Sequence, residues 1–234
     1  MNRIGLFLLT LVLMQYHLVA QQQTDTVIKG VDMKYSDVFA KAIDSTQWVI
    51  EMAPAPNSSV YTQHGHLVLD TKGGVTVWFN HPLPRNVRIE FDRKVIVASG
   101  VNDRLSDCNV FWMARDPRNK NLFTHNGVLE SYDSLQLYYV GMGGNTNRTT
   151  RFRKYEGNGQ RTLLQEYTDS AHLLQANTVY HFLIVVFNGN ISFWVNNQCF
   201  FKYKDAAPLQ QGYFGFRSTK SHQEISNFKV YELQ

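Results

Sequence analysis

The chain has 234 residues, with 23 Lys and Arg against 19 Asp and Glu, a net charge of +4, 13% aromatic and 18% charged residues. Aromatic content this high with so little net charge excludes a disordered chain, and two cysteines cannot frame a disulfide-stapled miniprotein of this length. One long apolar run, at the N-terminus, excludes a multi-span membrane protein. The mild charge without a basic stripe excludes nucleic acid as the expected partner.

Residues 1–20 read MNRIGLFLLTLVLMQYHLVA. Arg3 supplies a positive start, Ile4 to Met14 an apolar stretch, and Leu18-Val19-Ala20 a small-residue end before polar QQQTDT. This is the pattern of a secretory signal peptide with cleavage after Ala20. The apolar stretch is too short to cross a bilayer. The expected location is secreted or periplasmic, with no membrane span after cleavage. Residues 21–35 read as an N-terminal extension and residues 36–234 as a single domain. An exported chain can form disulfides; Cys108 and Cys199 either pair or remain two buried thiols. Asn57, Asn147 and Asn190 stand in N-x-S/T triplets.

Short alternating or wholly apolar runs follow, separated by Gly, Asn, Asp and Pro, which is the pattern of strands and turns. A short helix is expected over 36–46. Strands are expected over Gln47–Met52, His66–Asp70, Val75–Phe79, Val87–Ala98, Asn109–Ala114, Leu135–Val140, Thr149–Tyr155 and Thr162–Tyr167. Further ones are expected over Val179–Phe187, Ile191–Val195, Phe200–Tyr203, Tyr213–Arg217 and Glu224–Leu233. Asn188-Gly189-Asn190 and Asn196-Asn197-Gln198 mark two tight hairpins, since Asn and Gly accept the positive φ that such turns need. So many strands cannot form one flat sheet without exposing a large apolar face. The fold class is therefore all-β, a two-sheet antiparallel β-sandwich or jelly roll.

The last third runs VYHFLIVVFNGNISFWVNNQCFFKYKDAAPLQQGYFGFRSTKSHQEISNFKVYEL. Its layout resembles the C-terminal half of concanavalin A-like lectin/glucanase domains, over roughly residues 40–234. The segments DRLSDCNVFWMARDP and YYVGMGGNTNRTTRFRKY are similar to a family of secreted jelly-roll proteins from polysaccharide-degrading bacteria. That resemblance implies work on complex glycans. It does not choose among lectin, hydrolase and lyase. Retaining glucanases of this fold carry E-x-D-x-x-E on one strand, and alginate lyases carry R-[ST]-E-L and Q-[IV]-H strands. None of these is present: in RIEFDRK, basic residues follow Glu90 and Asp92 where the second Glu should be, and Glu130 and Asp133 have the wrong spacing.

Alternation along Thr149–Tyr155 puts Thr149, Arg151, Arg153 and Tyr155 on one face. Two arginines two apart suit a carboxylate or sulfate, and the preceding Gly143-Gly144-Asn145-Thr146-Asn147 supplies amides. The other reading is a solvent-facing strand paired to acids such as Glu166 or Asp169. Tyr213 and Arg217 flank Gly215 on the face opposite Phe214 and Phe216. The resemblance makes that face the concave, ligand-binding one, with Lys220 and His222 in the loop beyond. Arg217 could equally pair with a neighbouring acid.

One of Tyr138 and Tyr139 must face the core and the other must face out, where it could stack on sugar or act as a base once arginine lowers its pKa. Trp112 reads as core. His125, in FTHNG, is either a catalytic or a solvated loop residue. His64 and His66 share a strand face without a third metal ligand. No cofactor is expected, and no dense Asp cluster points to the calcium that is common in the superfamily.

Two functions follow. The first is an extracellular enzyme on an acidic polysaccharide, most simply a lyase, or else a glycan hydrolase. In a lyase Arg151, Arg153, Asn145 and Asn147 would take the uronate, Tyr139 or His125 would take the proton, and Tyr155, Tyr213, Arg217, Lys220 and His222 would hold the chain. The second is a non-catalytic carbohydrate-binding module of the same fold.

Overall fold

Along Val87–Ile96 every second residue except Arg93 is apolar, and Val87, Ile89, Phe91 and Val95 are buried while Arg88 and Asp92 stay half-exposed. Period-two patterning of this kind builds the whole molecule. The computed structural model describes residues 29–234; the expected signal peptide and residues 21–28 lie outside the described residues. The strands are β1 (Val31–Asp37), β2 (Trp48–Met52), β3 (Ser59–Gln63), β4 (His66–Thr71), β5 (Val75–Leu83), β6 (Val87–Ile96), β7 (Cys108–Arg115) and β8 (Gln136–Gly143). They continue as β9 (Thr149–Glu156), β10 (Arg161–Tyr167), β11 (Val179–Phe187), β12 (Asn190–Val195), β13 (Gln198–Lys204), β14 (Gly212–Ser218) and β15 (Ser221–Leu233). All pairings are antiparallel.

One sheet has the order β13-β12-β11-β6-β15-β4-β3, with β1 added on β15; the other has the order β10-β9-β8-β7-β14-β5-β2. Between them lies one large core that includes Phe91, Trp112, Tyr138, Phe152, Phe193, Phe214, Phe216 and Phe228. Phe214 and Phe216 meet edge-on at 4.8 Å, a favoured geometry for ring pairs. This is the expected β-sandwich, and Val31–Gln234 make one compact unit.

A second, smaller cluster lies on the other side of the seven-stranded sheet. There Trp78, Phe111, Tyr139 and Tyr155 of the strands pack against Leu122, Tyr132 and Leu135. Those last three belong to the connection 116–135 between β7 and β8, which folds back as a cap over the outer face.

Several expectations are corrected. Residues 36–46 form no helix: Asp37 takes the Phe39 amide and the Trp48 indole, Asp44 takes the Thr46 amide, and Phe39 has φ of 52°. Short acidic side chains here satisfy local donors in place of a helical ladder. The strand Val31–Asp37, paired with β15, runs from the expected extension (residues 21–35) into the expected domain. His64 sits in the β3–β4 turn at φ 50°, outside both strands, and its backbone oxygen contacts the His66 ring, so the two residues do not share a strand face. Of the two alternatives for the cysteines the structure has free thiols, one on each sheet, with Cys108 buried and Cys199 only partly so. The two Asn-rich hairpins form as expected, with positive φ at Asn188, Gly189, Asn196 and Asn197.

Two buried polar ties hold the sheets in place. Tyr138 and Lys154 both donate to Asp205 Oδ2, at 2.6 and 2.8 Å, and Leu209 N donates to the Tyr138 hydroxyl, closing the crossover from β13 to β14. Arg93 points inward from β6 and donates to the backbone oxygens of Asn109 and Arg217 and to Gln223 Oε1.

Candidate functional site

Strand register lines up two rows of side chains across the outer face of the seven-stranded sheet. One row runs Glu51, Thr76, Arg217, Asn109, Gly141, Arg151, Glu166 from β2 to β10. The next runs Val49, Trp78, Gly215, Phe111, Tyr139, Arg153, Leu163. A polar row thus lies beside an aromatic one. Gly141 is the gap in the polar row, and a Cβ there would collide with the Tyr139 hydroxyl and lie 2.7 Å from Asn109 Oδ1. The gap lets the Tyr139 ring tip settle beside Asn109.

Glu51 latches the cap. Its carboxylate accepts from Trp78 Nε1 at 2.7 Å, the Tyr132 hydroxyl at 2.9 Å and the His125 amide at 2.6 Å. The His125 ring stacks on Tyr132 at 5.0 Å, with Nδ1 3.0 Å from the Leu122 oxygen. His125 therefore belongs to the cap, held by packing and a backbone contact.

Arg217 is fully buried. Its Nη1 donates to the Gly127 oxygen at 2.6 Å and to Thr76 Oγ1 at 3.2 Å. Its Nε and Nη2 have no partner, and neither do Asn109 Oδ1 and the Tyr155 hydroxyl. The Tyr132 ring lies 5.2 Å from the guanidinium. Burial opposes the Arg217 charge, while Tyr132, Asp107, Tyr139 and Tyr155 around it favour it; a guanidinium keeps its proton in such surroundings. Asp107 is also buried, and burial raises its pKa above the ordinary carboxylate value against the Thr219 amide, Arg104 and Arg217. Asp107 accepts from Ser218, Thr219 and Asn109.

The expected site residues divide. Tyr139, Arg153, Tyr155, Tyr213 and Arg217 share the outer face, where Tyr213 meets Phe123 of the cap edge-on at 5.0 Å. Arg153 is half-exposed above the Tyr139 ring, its guanidinium carbon 5.9 Å from the centroid. Arg151 is on this face but pairs with Glu166 at 2.5 Å, the alternative the sequence left open. Asn145 is exposed on the 144–147 turn, reaching Thr149 Oγ1 at 3.4 Å. Asn147 is spent on both backbone groups of Leu174. Lys220 presents its backbone oxygen to Arg104, and His222 lies on β15 in the other sheet, 3.2 Å from Asp103. Neither joins the rows.

One chemical expectation reverses. Burial pushes the Tyr139 hydroxyl above the usual tyrosine range, and Arg153 and Arg217 only partly offset it. Glu51, Trp78 and Tyr132 were not anticipated. Asn109 stands out in the sequence as a polar residue among the apolar ones of β7.

An open depression of about 370 Å³ lies at the far edge of the cap, lined by residues such as Arg118, Glu130, Asp133 and Asn158; none of the row residues lines it. Among the described residues no three His, Cys, Asp or Glu side chains converge as metal ligands, and no helix is long and apolar enough to cross a membrane.

The sandwich is similar to several solved structures. A protein of unknown function with a galectin-like fold from Bacillus subtilis superposes with a TM-score of 0.72 at 18% identity, over 88% of this chain and 99% of that one. The endo-β-1,3-glucanase of Pyrococcus furiosus gives 0.63 at 11% identity, over 88% and 97%. A carbohydrate-binding module, CBM66 of Bacillus subtilis, gives 0.55 at 12% identity, over 79% and 95%. These likenesses show the fold. Among curated proteins none matches the sequence. Residues 69–228, spanning both sheets and every member of the polar row except Glu51, match the model of a domain of unknown function, DUF6250, and the chain belongs to that family.

Proposed function

We propose that this is an extracellular carbohydrate-active protein that holds an acidic glycan on the outer face of the seven-stranded sheet and cleaves it by β-elimination. The observation that carries the reading is Arg153, half-exposed over the Tyr139 ring on that face with no ion pair among the described residues. Glycan-active and glycan-binding neighbours of the same sandwich support a glycan as ligand, though not its acidic character. Hydrolysis through two free carboxylates has less support on this face. Glu51 is spent on three donors, Asp107 on Ser218, Thr219 and Asn109, and Glu166 on Arg151.

In the eliminative reading, arginine neutralises the uronate and acidifies the adjacent C–H. Tyr139 must first give up its own proton to solvent; as phenolate it takes the C–H proton, the bond to the leaving oxygen breaks as a C=C bond forms, and the departing oxygen takes that proton from the Tyr139 hydroxyl. A second reading, a binding module, is favoured by the burial that keeps Tyr139 protonated.

The test is incubation of the purified protein with acidic and neutral polysaccharides, following absorbance near 235 nm and new reducing ends. A rise in both, lost in Arg153→Gln, supports the lyase. New reducing ends alone mean hydrolysis. Silence in both with retardation on a glycan in an affinity gel means the binding module.

A further inference from the structure

We propose that the open depression at the far edge of the cap is a second sugar subsite, which seats a neutral ring of the same glycan whose acidic ring lies at Arg153. The inference rests on the acidic-glycan reading above. It adds the direction in which the chain lies and the kind of sugar at its other contact.

The depression has room that the covered face lacks. Its volume of about 370 Å³ falls within the range of small-molecule sites, about 300–1,000 Å³. Its lining is polar, and several of its groups are uncommitted. Glu130 is exposed, and its carboxylate has no ion pair or hydrogen bond among the described residues. Arg118 touches Asp116 through Nε, at 3.4 Å, with most of its side chain in solvent. Asn158 uses its side-chain oxygen on the Gln160 amide, which leaves its NH₂ group. Ser134 lines the same depression. A carboxylate that only accepts, nitrogens that only donate and a hydroxyl that does both make a set matched to sugar hydroxyls.

Charge chooses the ring. Asp133, also in the lining, is held by Arg161 through Nε and Nη2, at 2.6 and 2.7 Å. Arg118 and Glu130 then balance each other. A uronate here would meet Glu130 as a like charge, which opposes binding. A neutral ring meets only hydrogen-bonding partners.

The line of β9 joins the two places. Alternation puts Arg153, Tyr155 and Gly157 on one face, with Arg153 half-exposed and Gly157 in the wall of the depression. From Arg153 to Gly157 the extended chain covers about 13 Å, the length of about three linked sugar rings. Between them Tyr155 is buried, with the Arg161 guanidinium carbon 5.6 Å from its ring centroid. The path therefore passes over Arg161 at the rim of the cap and needs no space beneath it.

The experiment is calorimetric titration of the purified protein with size-fractionated aldouronic acids from glucuronoxylan, which join one uronate to neutral xylose rings, and with oligogalacturonates of matching length. Affinity for the aldouronic acids is expected to rise ten-fold or more from the disaccharide to the tetrasaccharide and then to level off. Glu130→Ala and Arg118→Ala are each expected to erase that rise, with disaccharide affinity and the unfolding midpoint unchanged. Arg153→Gln is expected to weaken binding at every length. Should a cap-edge variant fail to fold, the comparison with oligogalacturonates on the wild type decides alone. No rise with length, a rise that survives in both folded cap-edge variants, or an equal rise with oligogalacturonates overturns the subsite and leaves the acidic-glycan reading standing. Absence of binding to every acidic sugar overturns both.

Discussion

Arg93 and Arg217 meet through a single strand. From the core side, Arg93 Nη2 donates to the backbone oxygen of Arg217 at 2.9 Å, while the Arg217 side chain leaves from the opposite face of β14. Arg93 Nη1 does the same for Asn109, at 2.7 Å. One buried cation thus fixes the backbone of two neighbouring members of the polar row. Replacing Arg93 by Met leaves buried carbonyls without donors, and each hydrogen bond to a charged group contributes about 1.5–3 kcal/mol. Arg93→Met is expected to lower stability by roughly 3 kcal/mol or more in urea unfolding. Arg93→Lys, with fewer donors, should fall between it and the wild type.

The Glu51 latch predicts a local effect. Glu51→Gln keeps the shape but weakens three hydrogen bonds made to a carboxylate, each charge-assisted. The cap, not the sandwich, should loosen. Hydrogen exchange is expected to quicken at the His125 amide and through residues 122–135, with β6 and β15 unchanged. Equal quickening everywhere would contradict a latch.

Gly141→Ala tests the gap between the rows. Its methyl would collide with Tyr139 and crowd Asn109, and inserting a methyl into a packed site costs about 1–3 kcal/mol. The variant should fold with a lowered midpoint and lose most of the glycan activity or affinity. Gly144→Ala, whose Cβ would lie 3.2 Å from Thr149 Oγ1 in the adjacent turn, should leave that activity largely intact.

Acid should weaken the crossover. Burial works against ionised Asp205, but Lys154, Tyr138 and the Ala207 amide outweigh it and hold its pKa below the ordinary 3.8. A carboxyl depressed in the fold contributes its full stability above the unfolded value and loses it as pH falls through the folded one. The thermal midpoint should be flat down to about pH 5 and fall below about pH 4. Asp205→Asn should start lower and show a shallower acid limb.

Much of the frame can be read from alternation. Thr149–Tyr155 shows which residues share the outer face, and the Phe214–Arg217 pattern puts Arg217 opposite the phenylalanines. Arg93 was legible in principle, because it falls on the inward register of Val87, Ile89, Phe91 and Val95, but a charged residue in a core is a rare expectation. The cap was not legible. Residues 116–135 have turn composition and no period, and their fixed place comes from contacts with Glu51, more than seventy residues earlier. The pairing of Arg151 rather than Arg153 is decided by the β9–β10 register, in which Glu166 stands opposite Arg151.

β15 pairs with β1, β4 and β6, so the last in chain order of the fifteen strands among the described residues sits inside its sheet. Until it arrives, β6 and β4 lack a shared neighbour and β1 has nowhere to add. Closure depends on contacts between segments about two hundred residues apart, such as Val31 with Leu233. Long-range pairing of this kind is slow and leaves strand edges open while it waits. The growing chain thus has open strand edges until β15 is available, and shortening β15 by a few residues should trap it in an unfinished state.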